Sequence, residues 1–520
     1  MTRRASSERR KGAPAAAREP FPVAVLPWLL AVLFLAGALF RFDPDLSLNG
    51  DNAQFLILGE SIATGQGYRQ INEPVPPAHT KYPFLFPLLL AGTHLIAPGN
   101  VVVPKVLVLL LGAGAVYLLV RLLSSTLSVP AVAAWGALTA LNPQLLDFSH
   151  QVLSEIPYLF FSALALLLFA VWEKRGGRRA FAIAVIAVVA AYYTRTVGVA
   201  LAAAFVLRLL FIRRFRYAAI LAVVFVAAVT PWAVRNRTAE GGESYVRQFL
   251  LQNPYDPEGK KLTAGYFFGK RVRANAETYG AYEIGRSVAP SLFPPLKPKS
   301  FGGTGFLSAI VTVIALLGLV LRLRAGPGAL ELYTGAYLAI CLAWPEVWAS
   351  IRFLLPVIPM ILYYFGVGVV RTLGRIPRVP MKPVLAVLLF LLLVGEAESN
   401  VRAGFAPRGY PAPWRNYFAV ADWVRTETPE PSVICCRKPY LFYVRARRRT
   451  VSYLWSRDPD SVFEEMIADQ VNYVVVAHLS ATTGRYLVPA VQKHEDRFDV
   501  VLHLPNPDTY LLRLREEEQP

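Results

Sequence analysis

Charge is scarce in this chain. Of its 520 residues only 17% are Asp, Glu, Lys or Arg, and acids are the scarcer half, 35 against 54 bases. Cysteine is almost absent, at 3 residues. Cys341 lies in an apolar run, and the vicinal Cys435 and Cys436 are too constrained to bridge each other, so no disulfide framework is implied. Histidine is limited to 6 residues, and no His, Cys or carboxylate set has the spacing of a structural zinc site. No tight metal and no cofactor is therefore expected. A small-residue cleavage site is also missing after the first apolar run, which ends in FRFDPD. That run is expected to be a retained first helix behind a basic tail, not a removed signal peptide.

What is abundant is apolar sequence: 55% of the residues are hydrophobic, and they fall in long runs instead of the short periods of a soluble core. Runs such as 23–40, 302–321 and 353–370 have the length a bilayer core requires and contain no acid. The formal charge of +19 is therefore a topology signal. Nucleic-acid binding, the other reading of so basic a chain, is disfavoured because the Lys and Arg residues lie in short clusters between apolar runs.

Those clusters count the crossings, because basic loops stay cytoplasmic. Lys174–Arg179, Arg213–Arg216, Arg322 with Arg324, and Arg371–Lys382 must all face inward, as must the tail 1–20. If the segment 82–98 crossed, all four clusters would move outside. It is short and carries Pro83 and Pro87, so it is expected to lie in the outer interface. About eleven spans remain: 22–40, 102–122, 129–148, 155–172, 180–194, 197–212, 217–233, 302–321, 329–345, 352–370 and 383–396. The expected architecture is an α-helical polytopic membrane domain over 21–398, with extracytoplasmic loops at 41–100 and 235–300. A soluble extracytoplasmic domain over 399–520 follows. Its strand-like segments 432–436, 450–455, 472–478, 499–504 and 509–514 alternate with helix-like 460–470 and 483–494, which reads as α/β.

With this topology, Asp51, Lys81, Glu155, Arg195 and Arg352 all reach the outer face. Each has a bland reading. Asp51 is a natural N-cap for the segment after it, and Glu155, ahead of Pro157, complements a helix N-terminus. Arg195 and Arg352 interrupt apolar stretches and can snorkel to the interface. The sharper reading makes Asp51 a proton acceptor and the arginines, with Lys81, an anion pocket, since a guanidinium in lipid needs water or an anion and its fork suits phosphate. His150 reads as a solvated interface residue. Tyr68, Tyr82, Tyr192, Tyr193, Trp344 and Trp348 lie near the same level, mostly as belt residues, with some available to line a cleft.

The order GDNAQFLILGESIATGQGY, HTKYPFLFPLLLAG, LSEIPY, YYTRTVG, RFLLPVIP over residues 20–396 resembles the GT-C membrane glycosyltransferases. The resemblance is to the branch containing protein O-mannosyltransferases and the aminoarabinose transferase of lipid A. It implies an inverting transfer of a sugar from a polyprenyl-phosphate donor to a lipid, glycan or protein acceptor at the extracytoplasmic face of the cell membrane. By the same resemblance Asp51 and Glu155 would be catalytic, and Lys81, Tyr82, Arg195 and Arg352 would bind the donor phosphate. Mannosyltransferases often show Asp-Glu in the first loop, whereas Asp51 is followed by Asn52 here, so mannose and a protein acceptor are not supported. The soluble tail carries no motif tied to oligosaccharyltransferase subunits. The alternative from another class is a transporter of a lipid-linked or anionic substrate. It is weakened by the absence of two matching halves and by ionisable residues that sit at span ends on one face.

Overall fold

The structure, a computed structural model, describes residues 21–239, 245–255, 260–293 and 303–515. The basic tail 1–20 lies outside the described residues. From the N-terminus the helices are α1 (Phe21–Phe40), α2 (Gly50–Ala63), α3 (Leu85–Ile96), α4 (Val102–Leu123), α5 (Val129–Leu141), α6 (Pro143–Ser149), α7 (Glu155–Arg175), α8 (Arg178–Thr194), α9 (Val199–Phe211) and α10 (Phe215–Thr238). After the long loop come α11 (Gly303–Ala325), α12 (Ala329–Ala343), α13 (Ile351–Leu373) and α14 (Met381–Gly404). Six of the described helices, α4, α7, α10, α11, α13 and α14, are long and apolar enough to cross a bilayer. The chain is a multi-pass membrane protein.

Each of the segments read as spans is helical, with one difference. The stretch 129–148, expected as a single helix, is divided into α5 and α6 at Asn142 and Pro143. Proline has no N–H to continue the ladder, and the Asn142 side chain caps α6 by accepting from the Leu145 amide at 3.4 Å. The kink lets the end of α1 bind several elements at once. Arg41 donates from Nη1 to the Pro143 carbonyl at 2.7 Å and to Asn400 Oδ1 at 3.0 Å, and from Nη2 to Asp147 at 3.1 Å. His150, expected in solvent, is buried at the end of α6.

Helices α11 and α13 cross at contact distance. A Cβ on Gly318 would lie 1.9 Å from the Tyr364 carbonyl oxygen, and one on Gly368 would lie 2.0 Å from that of Ile314. Small residues allow such an approach where no hydrophobic driving force separates helix from lipid.

The segment expected in the interface contains α3, whose 12 residues span about 18 Å, short of the roughly 30 Å of a hydrocarbon core. It packs on α2, with Phe86 edge-on to Phe55 at 5.0 Å. Helix α2 in turn separates the membrane helices from the tail: Ala53 and Leu46 join a core that includes Tyr417, Phe418 and Phe442.

The tail is α/β. Helix α15 (Ala412–Glu427) precedes β1 (Val433–Cys435), α16 (Pro439–Ala446), β2 (Arg449–Val451), α17 (Pro459–Ala468), β3 (Tyr473–Ala477), β4 (Phe498–Leu504) and β5 (Thr509–Leu514). The sheet order is β2-β1-β3-β5-β4. Strand β1 runs parallel to both β2 and β3, whereas β5 is antiparallel to β3 and β4. All five strand-like segments form strands; α15 and α16 were not legible in advance. The tail is pinned to the first loop by Arg447 on Glu60 at 2.7 Å and by the Thr450 amide on the Asn72 carbonyl at 2.6 Å.

The sidedness of this arrangement is measurable, because all three native cysteines are buried. A cysteine at exposed position 270 is expected to react with a membrane-impermeant maleimide in intact cells, and one at exposed position 176 to stay protected. The reverse pattern would overturn the span assignment.

Candidate active site

Four charges from distant parts of the chain meet at one end of the helix bundle. Asp51 is the second residue of α2, and the cap of that helix is Asn49, whose Oδ1 accepts from the Asp51 amide at 3.2 Å. The carboxylate is thus released from capping and points at Arg352, whose Nη1 donates to Oδ2 at 2.7 Å. Arg352 lies in the first turn of α13 and its Nε also donates to Glu155 Oε1. Glu155 opens α7 and receives Arg195 Nη1 on the same oxygen at 2.6 Å. Arg195 sits in the extended break between α8 and α9 and also donates to Ser154 Oγ at 3.0 Å. The result is a chain Asp51–Arg352–Glu155–Arg195 linking α2, α7, α8 and α13.

Burial separates the roles within it. The Glu155 side chain is 0% exposed, whereas Asp51 is 33% exposed and Arg195 and Arg352 are 16% and 19% exposed. Glu155 therefore lies behind the wall, and the other three form its surface. The recorded bonds use Nε and Nη1 of Arg352 and Nη1 of Arg195, which leaves the remaining N–H groups of both forks for an anion. Burial pushes the Asp51 carboxyl up, but Arg352 and then Lys81 outweigh it and hold it below the usual carboxylate range.

The surface encloses a cavity of about 1150 Å³ that Asp51, Lys81, Tyr82, Arg195 and Arg352 all line. Tyr82 is fixed from below: it stacks on Phe55 at 4.5 Å and its amide donates to His79 Nε2 at 2.9 Å. Burial drives the His79 pKa down to about 3, so the ring stays neutral and free to accept that bond. The Tyr82 hydroxyl, close to the Asp51 carboxylate, helps to hold its pKa down. All the sequence-predicted site residues are thus brought together, with Glu155 one layer deeper than the rest.

Another part of the wall is aromatic. Trp344 and Trp348 line it, as does Tyr192, while Tyr68 and Tyr193 lie outside it. Tyr245 and Tyr255, from the long loop, complete it: Tyr245 meets Trp344 at 5.8 Å and Tyr255 meets Trp348 at 6.1 Å. The loop is held there by Arg271, a fully buried guanidinium that donates to the carbonyls of Phe249 at 2.8 Å and Leu251 at 2.5 Å. It faces Glu346 at 3.4 Å. Sequence reasoning missed these loop residues because aromatics and cations in a polar loop carry no signal of depth. The soluble tail adds Arg437 and Lys438 to the lining. Among the described residues, no group of three or more His, Cys, Asp or Glu side chains could hold a metal ion.

No protein-family model matches the sequence, and no curated protein matches it. Solved structures do. ArnT from Cupriavidus metallidurans, bound to undecaprenyl phosphate, aligns with a TM-score of 0.55 at 13% identity, over 94% of this chain and 97% of that one. The Archaeoglobus fulgidus oligosaccharyltransferase, solved with Zn and sulfate, gives a TM-score of 0.57 at 13% identity, over 86% of this chain and 67% of that one. The arabinofuranosyltransferase AftD from Mycobacteria gives 0.51 at 14% identity, over 97% of this chain and 40% of that one. At such identities the likeness concerns the fold alone, and this chain shares the fold of these solved structures.

Proposed function

We infer that this protein is an inverting glycosyltransferase that moves a sugar from a polyprenyl-phosphate donor to a lipid, glycan or protein acceptor at the extracytoplasmic face of the cell membrane. The observation that carries the reading is the 2.7 Å contact of Asp51 with Arg352 on the wall of a large cavity at the ends of membrane helices. In this reading the contact pairs a proton acceptor with an anion-binding fork. A lipid-linked donor needs this arrangement, since its prenyl tail stays among apolar helices while its phosphate and sugar reach water.

In this reading the donor phosphate sits against Arg195, Arg352 and Lys81. The acceptor hydroxyl oxygen attacks the anomeric carbon from the side opposite the phosphate. As that carbon–oxygen bond forms, the bond to the phosphate oxygen breaks and its electron pair leaves with the phosphate. The guanidiniums meet the negative charge where it grows, and being already oriented they need no reorganisation as the bond breaks. Asp51 takes the hydroxyl proton. A carboxylate held at low pKa is a weak base, so it accepts late, when bonding to carbon has made the hydroxyl acidic. Glu155 is assigned to positioning: buried and shared by Arg195 and Arg352, it fixes both forks toward the cavity. The aromatic wall of Tyr245, Trp344 and Trp348 offers apolar faces for the sugar ring. The ArnT structure holds undecaprenyl phosphate, which favours a carrier of the same class here.

Incubation of the purified protein with a panel of polyprenyl-phosphate sugars is expected to consume at least one donor. Asp51→Asn is expected to slow that turnover by roughly 10²- to 10⁴-fold. Equal turnover by the two proteins would remove Asp51 from the mechanism, and no turnover with any donor would defeat the reading.

Glu155→Ala removes the buried carboxylate that Arg195 and Arg352 share, a loss of about 3–5 kcal/mol for a broken buried ion pair. It is expected to lower the thermal midpoint in detergent well below that of Asp51→Asn, whose carboxylate is partly exposed. Equal midpoints would argue against a positioning role.

The lowered Asp51 pKa fixes a sign for pH dependence. Its attraction to Arg352 is complete above the ordinary carboxylate value of 3.8 and is lost only as pH falls through the lower folded-state value. Donor turnover is therefore expected to show no acid limb from Asp51 between about pH 8 and about pH 5. A limb near neutrality that vanishes in Asp51→Asn would contradict this.

A further inference from the structure

The soluble tail contributes to the cavity through one turn, the residues that follow β1. In open parallel sheets a crevice forms where neighbouring strands send their outgoing connections to opposite sides. Strands β1 and β3 meet that condition. The chain leaving β1 passes through α16 to β2 on one side, and the chain leaving β3 passes to β4 and β5 on the other. Arg437 and Lys438 stand at this switch point. Arg437 Nε bridges the crevice by donating to Ser480 Oγ at 3.0 Å and Thr482 Oγ1 at 2.7 Å, both on the segment after β3. Its guanidinium lies over the Trp455 ring at 4.9 Å.

Lys438 is held from behind. The buried Tyr417 hydroxyl accepts from the Lys438 amide and donates to the Lys438 carbonyl, both at 3.2 Å. The backbone is thereby fixed. No hydrogen bond or ion pair is recorded for the ammonium among the described residues, although it lines the cavity half-buried. Burial lowers its pKa, Arg437 adds to that, and Asp51 opposes it. Asp51 thus interacts electrostatically with cations from both parts of the chain, Arg352 and Lys81 from the membrane domain and Lys438 from the tail.

We propose that Arg437 and Lys438 form an anion subsite for the acceptor, so that the acceptor carries a phosphate or carboxylate near the hydroxyl that Asp51 deprotonates. The inference rests on the glycosyltransferase reading for the word acceptor, because that reading gives the donor phosphate to Arg195 and Arg352 of the membrane domain. A cationic pair at a strand switch point facing the same cavity then has the other substrate to serve. An anionic group on the acceptor would offset the desolvation that burial imposes on the Lys438 ammonium. The subsite also gives the soluble domain a role in choosing the substrate.

The test measures the acylation rate of Lys438 by mass spectrometry in the full-length protein, with and without saturating undecaprenyl phosphate. The probes are glucose 1-phosphate, glucuronate and glucose. Slower acylation of about tenfold is expected with a charged probe, persisting when undecaprenyl phosphate is bound, and none with glucose. Whichever of phosphate and carboxylate protects at lower concentration identifies the acceptor's anion. Equal protection by glucose, no protection by any probe, or protection that disappears once undecaprenyl phosphate is bound would overturn the proposal.

Arg437→Gln is expected to weaken protection about tenfold, Arg437→Lys to retain most of it, and both to bind undecaprenyl phosphate as the wild type does. Weaker undecaprenyl phosphate binding by Arg437→Gln would place that cation in the donor site instead. If Arg437→Gln unfolds the tail, Lys438→Gln gives the same comparison by calorimetric titration of glucose 1-phosphate, with lost binding expected and unchanged binding contradictory. Failure of the wild type to bind undecaprenyl phosphate would count against the glycosyltransferase reading alone and leave the protection result standing.

Discussion

One guanidinium, Arg352, answers two carboxylates that lie 301 and 197 residues before it in the chain. It holds Asp51 of α2 and Glu155 of α7 at once, and Glu155 passes the connection to Arg195. Burying an unpaired charge near a bilayer is prohibitive, so each member constrains the others. The break between α8 and α9, the first turn of α13 and the start of α2 must all converge for the charges to be met. The cavity is the space left in front of that convergence.

This constraint explains why the surrounding parts look as they do. Helix α3 packs on α2 beside the charged chain, bringing Lys81 and Tyr82 to its edge. Arg271 pulls the long loop over the top, and the loop's tyrosines meet the tryptophans after α12. The tail docks on α2 through Arg447 and Glu60 and presents the turn after β1 from the remaining side. Membrane helices, a loop and a soluble domain thus each supply one wall. That division suits a reaction whose two substrates differ in polarity, one of them anchored in lipid.

Much of this was legible from residues alone, for a definite reason. In a chain with so few charges, an ionisable residue at the end of an apolar run has few explanations, and sidedness then groups such residues on one face. Asp51, Lys81, Arg195 and Arg352 were found this way. Depth was not legible: Glu155 and Asp51 look alike in sequence, yet one is sealed behind the wall and the other borders the cavity. Asn142 and Pro143 broke a span because local capping overrode a continuous apolar pattern. His150 was read as solvated but is buried. Arg437, Lys438, Tyr245 and Tyr255 gave no signal because a basic pair after a strand of a soluble domain and tyrosines in a loop are both common, and only the tertiary fold carries them to the cavity.

The most direct measurement is a cryo-electron microscopy map of the full chain with undecaprenyl phosphate bound. The account predicts phosphate density within hydrogen-bonding distance of Arg195 and Arg352, Asp51 on the adjoining wall, and the prenyl chain leaving between membrane helices. Phosphate density away from both arginines, or Asp51 and Arg352 at opposite surfaces of the micelle, would contradict it.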